Sequence, residues 1–221
     1  MPELIRVLVV DDQPLFASGI GMLIDAQSDM ECIGTAVDGR AAVDSARALR
    51  PDIVLMDLRM PQLNGVDATR EVLSSGRADE PPKVIVLTTL RRDAVVAQAL
   101  AAGASAFLTK DATPDQVLGT IRLVHAGSGI PDLAETLALI AGMGGSTTPP
   151  RQQETLDALS PREREVFLLV ARGLSNAEIA EAAWVTEATV KTHVAAILRK
   201  LELRSRVQLV IFAHRNQLVS G

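Results

Sequence analysis

Five side chains able to act on phosphorus or to hold a cation close successive apolar runs in the first half of the sequence. Asp11 and Asp12 follow the run 5–10, Asp57 follows 53–56, Thr88 follows 84–87, and Lys110 stands just past 106–108. Three neighbouring carboxylates repel one another and call for a cation, and hard oxygen donors that leave room for water suit Mg²⁺. A carboxylate oxygen can also attack phosphorus and form an acyl phosphate. Phosphoryl transfer asks for in-line positioning and neutralised charge, which a metal ion and a lysine provide. The backbone carbonyl of Arg59, two residues past Asp57, can add a metal ligand. Taken singly, the two N-terminal acids suit a helix cap, Thr88 a strand, and Lys110 a solvated surface. Their coincidence at the ends of apolar runs favours a site.

The elements that must position these groups alternate in period. Apolar runs of strand length at 5–10, 32–37, 53–56, 84–87 and 106–108 are separated by helix-like segments at 14–26, 40–49, 66–75, 92–102 and 114–125. Five strands alternating with five helices predict an α/β domain with a parallel sheet covered on both faces. In such sheets ligands bind outside the carboxyl ends of the strands, at the switch in strand order. Thr113-Pro114-Asp115-Gln116 supplies an N-cap, a first-position proline and a reciprocal Gln for the fifth helix. Pro61 and Asn64-Gly65 turn the chain away from the third strand into the next helix.

The 221 residues are 48% apolar and 22% charged, as in a globular protein, but hold only four Phe, one Trp and no Tyr. The cores are therefore aliphatic. A lone Cys32 excludes an internal disulfide and a Cys-rich metal site, fits a reducing cytosol, and is expected as a small buried hydrophobe. No apolar run approaches the ~20 residues of a membrane span, and MPELIR lacks a signal-peptide pattern, so a cytoplasmic protein without membrane contact is expected. Residues 1–150 hold 12 Lys/Arg against 19 Asp/Glu, whereas 151–221 hold 10 against 8. Two tasks are implied.

The stretch GMGGSTTPP (142–150) reads as a linker, with a possible short helix at 132–141 before it. From about Leu156 only helices are predicted. Ser160-Pro161-Arg162-Glu163 and Ser175-Asn176-Ala177-Glu178 are capping boxes, Thr186 caps a third helix, and a fourth runs over 204–216. Expected boundaries are 1–127 for the first domain, 128–155 for the linker and 156–221 for the second domain.

The segments VLVVDDQPLF, DIVLMDLRMPQLNGVDATR, VIVLTT and AGASAFLTKDATPDQV resemble a bacterial response-regulator receiver domain. LSPREREVFLLVARGLSNAEIAEAAWVTEATVKTHVAAILRKL is similar to the LuxR-type helix-turn-helix, and the order is that of the NarL/FixJ family. This resemblance implies a flavodoxin-like, five-stranded receiver followed by a small all-α DNA-binding domain. It makes Asp57 the phosphoacceptor, Asp11 and Asp12 the Mg²⁺ acids, Thr88 the switch hydroxyl, Lys110 its cationic partner and Phe107 the switch aromatic or a core residue. It implies a sensor histidine kinase or a small phosphodonor, double-stranded DNA and a second copy as partners, with a homodimer in the active state. Leu90, two residues past Thr88, cannot orient an attacking water, which predicts slow self-dephosphorylation. Asp111 stands where many receivers have proline.

In the third rear helix Val190, Val194, Ile197, Leu198 and Leu201 form one apolar stripe. Opposite them, Thr189, Lys191, Thr192, Ala195 and Arg199 are the expected DNA contacts. Lys191 can reach phosphate or a guanine edge, Thr192 a base, and Ala195 offers only apolar contact. Lys200, Arg204 and Arg206 are expected as phosphate contacts or solvated charges, His193 as packing or phosphate-facing rather than a metal ligand, and Trp184 as a core residue near the turn. By family analogy Val207, Val210, Ile211 and His214 form a dimer face. A surplus of only four positive charges over 186–215 predicts weak binding by one monomer.

Two rivals remain on the same residues. An aspartate-nucleophile phosphatase resembling the haloacid dehalogenases needs a second acid two residues past the nucleophile, where this chain has Arg59. A DNA-binding regulator with a phosphorylation-independent receiver is opposed by the complete acid, Thr and Lys set. A regulator rather than an enzyme is expected.

Overall fold

A computed structural model describes residues 4–75, 81–89, 94–127, 156, 158–216 and 218. The chain divides into two compact units, Met1–His125 and Ala126–Gly221.

In the first unit, β1 (Ile5–Val10), β2 (Met30–Ala36), β3 (Ile53–Asp57), β4 (Lys83–Thr88) and β5 (Ala106–Thr109) form one sheet ordered β2-β1-β3-β4-β5. Every neighbouring pair is parallel. The helices between them are α1 (Pro14–Asp25), α2 (Gly39–Leu49), α3 (Gly65–Ser75), α4 (Ala94–Ala102) and α5 (Pro114–Ala126). Alternate strand residues Val7, Val9, Ile53, Leu55, Ile85, Leu87, Ala106 and Leu108 pack on Ala17 and Ile24 of α1 and on Val117, Ile121 and Val124 of α5. The intervening residues Leu8, Val10, Val54, Met56, Val84 and Val86 are equally buried and point to the opposite face. A strand buried on both faces must be apolar throughout, which is why these runs do not alternate.

Local chemistry sets the helix starts. Asp38 caps α2 by accepting from the Ala41 amide at 2.8 Å. Thr113 and Gln116 cap α5 reciprocally, at 2.8 and 3.3 Å. The second strand begins at Met30, earlier than its apolar run, because Met30 and Glu31 pair with Ile5 and Arg6; the register shifts further on, between Val7 and Leu8. Cys32 is only half-buried beside the core; burial pushes its thiol pKa up. The expected helix at 132–141, the linker at 142–150, Leu90 and the first turn expected at 92 lie outside the described residues.

The second unit is helical: α6 (Pro161–Ala171), α7 (Asn176–Ala182), α8 (Glu187–Lys200) and α9 (Arg206–Arg215). Capping boxes at Ser160–Glu163 and Ser175–Glu178 start α6 and α7; Thr186 and Ser205 cap α8 and α9. Three of these helices end alike. Past α6, the Gly173 amide donates to the Val170 carbonyl at 2.8 Å and the Leu174 amide to the Leu169 carbonyl at 3.3 Å. Past α7 the same pair of bonds is made by Trp184 to Glu181 at 3.3 Å and Val185 to Ala180 at 3.0 Å, and past α8 by Glu202 to Arg199 and Leu203 to Leu198. Each is a Schellman motif, whose central residue is left-handed and usually Gly. Here φ is 89° at Gly173, 56° at Trp184 and 55° at Glu202.

Glu163 joins two of these helices. Its carboxylate accepts from the Ser160 amide at 2.7 Å and from Lys200 Nζ at 2.7 Å, so the start of α6 is tied to the end of α8. The bond from Lys200 and that from the Ser160 backbone hold its pKa down at about 2, against 4.5 for an ordinary glutamate. The stabilisation is therefore complete above pH 4.5 and is lost as pH falls toward 2. Glu163→Gln should cost about 1–2 kcal/mol at neutral pH. Amide exchange of α6 should show the two proteins converging in acid; a gap that persists at pH 2 contradicts this.

Candidate functional site

The strand order reverses between β1 and β3, so the crevice at their carboxyl ends is the ligand position of this fold. Asp11 follows β1 and Asp57 ends β3. They are 0% and 4% exposed, whereas Asp12 is exposed. One oxygen from each of the three lies within 4.8 Å of the others. Lys110, just past β5, places Nζ 2.7 Å from Asp11 Oδ2 and 2.9 Å from Asp57 Oδ2. The Lys110 amide donates to the Thr88 carbonyl at 2.7 Å, which fastens the β5 tip to the β4 tip. Asp11 Oδ1 accepts from the Gln13 amide at 2.9 Å, and Asp57 Oδ1 from the Arg59 amide at 3.3 Å.

Burial pushes the Asp57 carboxyl above its ordinary range; the Lys110 and Arg59 hydrogen bonds oppose this without overcoming it, and the Asp11 charge adds to the rise. For Lys110, burial alone lowers the pKa, but the contacts with Asp11 and Asp57 outweigh it and hold the ammonium above the usual lysine value. Asp11 Oδ2 is buried and, although it faces the ammonium, makes no hydrogen bond of good geometry. A buried carboxylate oxygen with capacity left, beside two more carboxylates, suits a hard divalent cation.

The loop that carries Arg59 is held by close backbone approach. A Cβ on Gly65 would stand 2.0 Å from the Asp57 carbonyl oxygen, and one on Gly39 would stand 2.2 Å from the Leu63 carbonyl oxygen. Both obstacles are backbone and cannot rotate away. Gly65→Ala must therefore move the β3–α3 loop, at a cost of about 2–3 kcal/mol. It should lower the melting temperature of the first unit; a wild-type melt in the variant contradicts this.

Thr88 is 3% exposed at the tip of β4. Phe107, 3% exposed, is an interior residue in this conformation and faces away from α1 and α5. Arg59 is exposed at the rim. Sequence reasoning missed Phe16, whose ring centroid lies 5.0 Å from Lys110 Nζ. A cation over an aromatic face is attracted to it. Only the three-dimensional approach of α1 to the β5 tip reveals this pairing.

In the second unit, Lys191, Thr192, Ala195 and Arg199 form an exposed side of α8, and Thr189 is half-buried with its hydroxyl 2.9 Å from that of Thr186. Thr192 donates its own hydroxyl back to the Ala188 carbonyl at 3.0 Å. On the other side Val190 and Ile197 are buried; Val194, Leu198 and Leu201 are only half-buried.

Four expectations need correction. Trp184 is not core: it is 94% exposed. Lys200 is exposed but is not a free solvated charge, because its ammonium pairs with Glu163 at 2.7 Å. Arg206 is 9% exposed, with its guanidinium bonded to Asn176 Oδ1 at 2.9 Å and to the Leu174 carbonyl. Burial without a carboxylate partner lowers its pKa to about 10. The expected dimer residues Val207, Val210 and Ile211 are 0%, 0% and 6% exposed, and His214 is half-buried. The three interior side chains offer no face to a second copy in this conformation; half-buried His214 is not contradicted.

An acid–lysine switch-point site on a parallel sheet, followed by a capped helix-turn-helix, is the arrangement of a receiver joined to a DNA-binding domain. The chain belongs to the response regulators with a receiver domain and a LuxR-type DNA-binding domain. The family described as response regulator receiver domain matches residues 7–122, and that described as bacterial regulatory proteins, luxR family, matches 157–213. The transcriptional regulatory protein LnrK of Bacillus subtilis is 37% identical over 96% of this chain and 97% of its own. The response regulator VraR of Staphylococcus aureus is 36% identical over 97% and 99%. Among solved structures, the NarL receiver domain from Mycobacterium tuberculosis is 34% identical, with a TM-score of 0.53, over 57% of this chain and 99% of that domain. The response regulator ChrA, from a haem-sensing two-component system, is 28% identical with a TM-score of 0.52 over 98% and 99%. No helix among the described residues is long and apolar enough to cross a membrane.

Proposed function

We propose that a sensor histidine kinase or a small phosphodonor transfers a phosphoryl group to Asp57, and that this modification controls dimerisation and DNA binding in the cytoplasm. The observation that carries the reading is the buried Asp11–Asp57–Lys110 cluster at the switch point. Asp11, Asp12, Asp57 and the Arg59 carbonyl are the residues to hold Mg²⁺, which when bound neutralises charge on the phosphoryl oxygens. An Asp57 carboxylate oxygen attacks phosphorus as the bond to the donor's nitrogen or oxygen breaks, and the product is an acyl phosphate. Lys110 releases Asp57 and pairs with the new phosphoryl charge. Thr88 donates its hydroxyl to that group, and Phe107 repacks behind it, which biases a two-state face of the receiver.

The receiver occupies 1–127, the linker 128–155 and the DNA-binding domain 156–221. Thr189, Lys191, Thr192, Ala195 and Arg199 face the major groove. Leu90 leaves the attacking water unoriented, so the phosphoryl group turns over slowly.

The test combines intact mass with duplex binding, with and without acetyl phosphate and Mg²⁺, on the wild type and Asp57→Asn. A gain of one phosphoryl mass and tighter duplex binding in the wild type alone is expected. Equal mass gain in the variant, or none in either, overturns the mechanism. Tight duplex binding that ignores phosphorylation supports a phosphorylation-independent receiver.

A further inference from the structure

Trp184 is the only tryptophan of the chain, and it stands in a position that neither packing nor backbone preference explains. It is the left-handed residue of the Schellman motif that ends α7, with φ 56°. The equivalent residue after α6 is Gly173, the type that adopts this conformation without a Cβ clash, and after α8 it is the flexible Glu202, at φ 55°. A bulky side chain there is an outlier. Its ring, 94% exposed, contributes no packing that could offset the strain or the cost of a wet indole. Backbone strain and a fully exposed aromatic thus coincide on one residue, a combination found where function rather than stability selects the side chain.

The place of the residue indicates its partner. Trp184 lies two residues before Thr186, the N-cap of α8, whose exposed side carries Lys191, Thr192, Ala195 and Arg199. A recognition helix enters the major groove with its N-terminal residues at the base edges, so the turn that feeds this end runs along the rim of the groove, beside the phosphates. Glu181 and Glu187, both exposed, flank this turn and repel phosphate. A neutral donor on a flat apolar body suits that surrounding: indole donates one N–H, accepts nothing, and lays its ring against a sugar.

We infer that Trp184 is a DNA-backbone contact, its indole N–H donating to a phosphate oxygen at the groove rim while α8 reads the bases. This rests on the DNA-binding reading of the second unit.

A sole tryptophan makes the test direct. The full chain, with acetyl phosphate and Mg²⁺, is titrated with a fluorescein-labelled mixed-sequence duplex of about 30 base pairs at low salt, where phosphate contacts dominate. Binding is followed by anisotropy, and access to Trp184 by acrylamide quenching of its emission. Quenching is expected to fall as the duplex binds. Trp184→Gly, which relieves the strain and should melt no lower than the wild type, is expected to bind roughly tenfold more weakly. Because the lost donor is uncharged, the slope of log affinity against log salt should stay at the wild-type value, whereas Lys191→Ala lowers it by about one.

Anisotropy that rises with quenching unchanged overturns the proposal, as does wild-type affinity in Trp184→Gly. Protection that grows with protein concentration in the absence of duplex assigns the ring to a protein partner instead and also overturns it. A chain that binds no duplex with or without the phosphodonor sinks the DNA-binding reading itself, and this inference with it.

Discussion

Asp57→Asn is expected to abolish phosphoryl uptake and, at neutral pH, to raise the melting temperature of the receiver. Burial holds the Asp57 carboxyl above its ordinary range, so the folded chain binds that proton more tightly than the unfolded chain does. The stabilisation from this group is present below the unfolded value of 3.8 and is lost as pH rises through the higher folded value. At pH 7 the ionised Asp57 is a net cost, opposed but not cancelled by Lys110. An asparagine keeps the shape and removes the charge, and Asp11 still faces the ammonium at 2.7 Å. The expected gain is on the order of 1 kcal/mol, the usual scale for a relieved functional site. Melting curves at pH 7 and near pH 3 check this. The variant should lead at pH 7 and lose its lead in acid; a lower melting temperature at pH 7 sinks the argument.

Lys110→Met acts in the opposite direction on the same cluster. It leaves two buried carboxylates side by side with no protein cation, a loss of roughly 3–5 kcal/mol. The pKa of Lys110 is raised, so its stabilisation is complete below 10.5 and is lost only as pH climbs through the higher folded value. The variant should therefore be destabilised across the whole neutral range and recover as acid protonates Asp57. Phosphoryl uptake should fall by roughly 10²–10³, the scale of a removed charge-stabilising donor. Mg²⁺ should stabilise the variant more than the wild type, because a cation replaces the missing ammonium. Calorimetric melts with and without Mg²⁺ decide it, and an equal shift in both proteins contradicts the shared-cation picture.

The carboxylate cluster was legible because it obeys a topological rule. Once the apolar runs are taken as parallel strands, residues 11, 57, 88 and 110 must meet at one edge, whatever the side chains in between. The capping boxes at Ser160 and Ser175 were legible for a similar reason, since a four-residue pattern contains both halves of each bond. The last helix was not. Arg206 and His214 fall among Val207, Leu209, Val210, Ile211 and Ala213 on one side, which blurs the apolar face, yet all five apolar residues are buried. Charges misled in the same way. Lys200 and Arg206 look like phosphate contacts in a basic stretch, yet one is bound to Glu163, 37 positions away, and the other to Asn176, 30 away. Trp184 was misassigned because hydrophobicity suggests burial, whereas its backbone conformation depends on how α7 ends.

The ties at both ends of α8 bear on what regulation can change. Thr186 caps its start, and Lys200 anchors its end to the first turn of α6 through Glu163. A reading head clasped to its own scaffold in this way has a preset geometry. Under the proposed control, phosphorylation acts on the fraction of molecules competent to bind, and the apparent dissociation constant scales inversely with that fraction for every operator that the same dimer occupies. The rank order and spacing of affinities across a panel of binding sites should be identical before and after phosphorylation, with all of them displaced by one common factor. The signal sets how many promoters are occupied, and the sequence of α8 sets which come first.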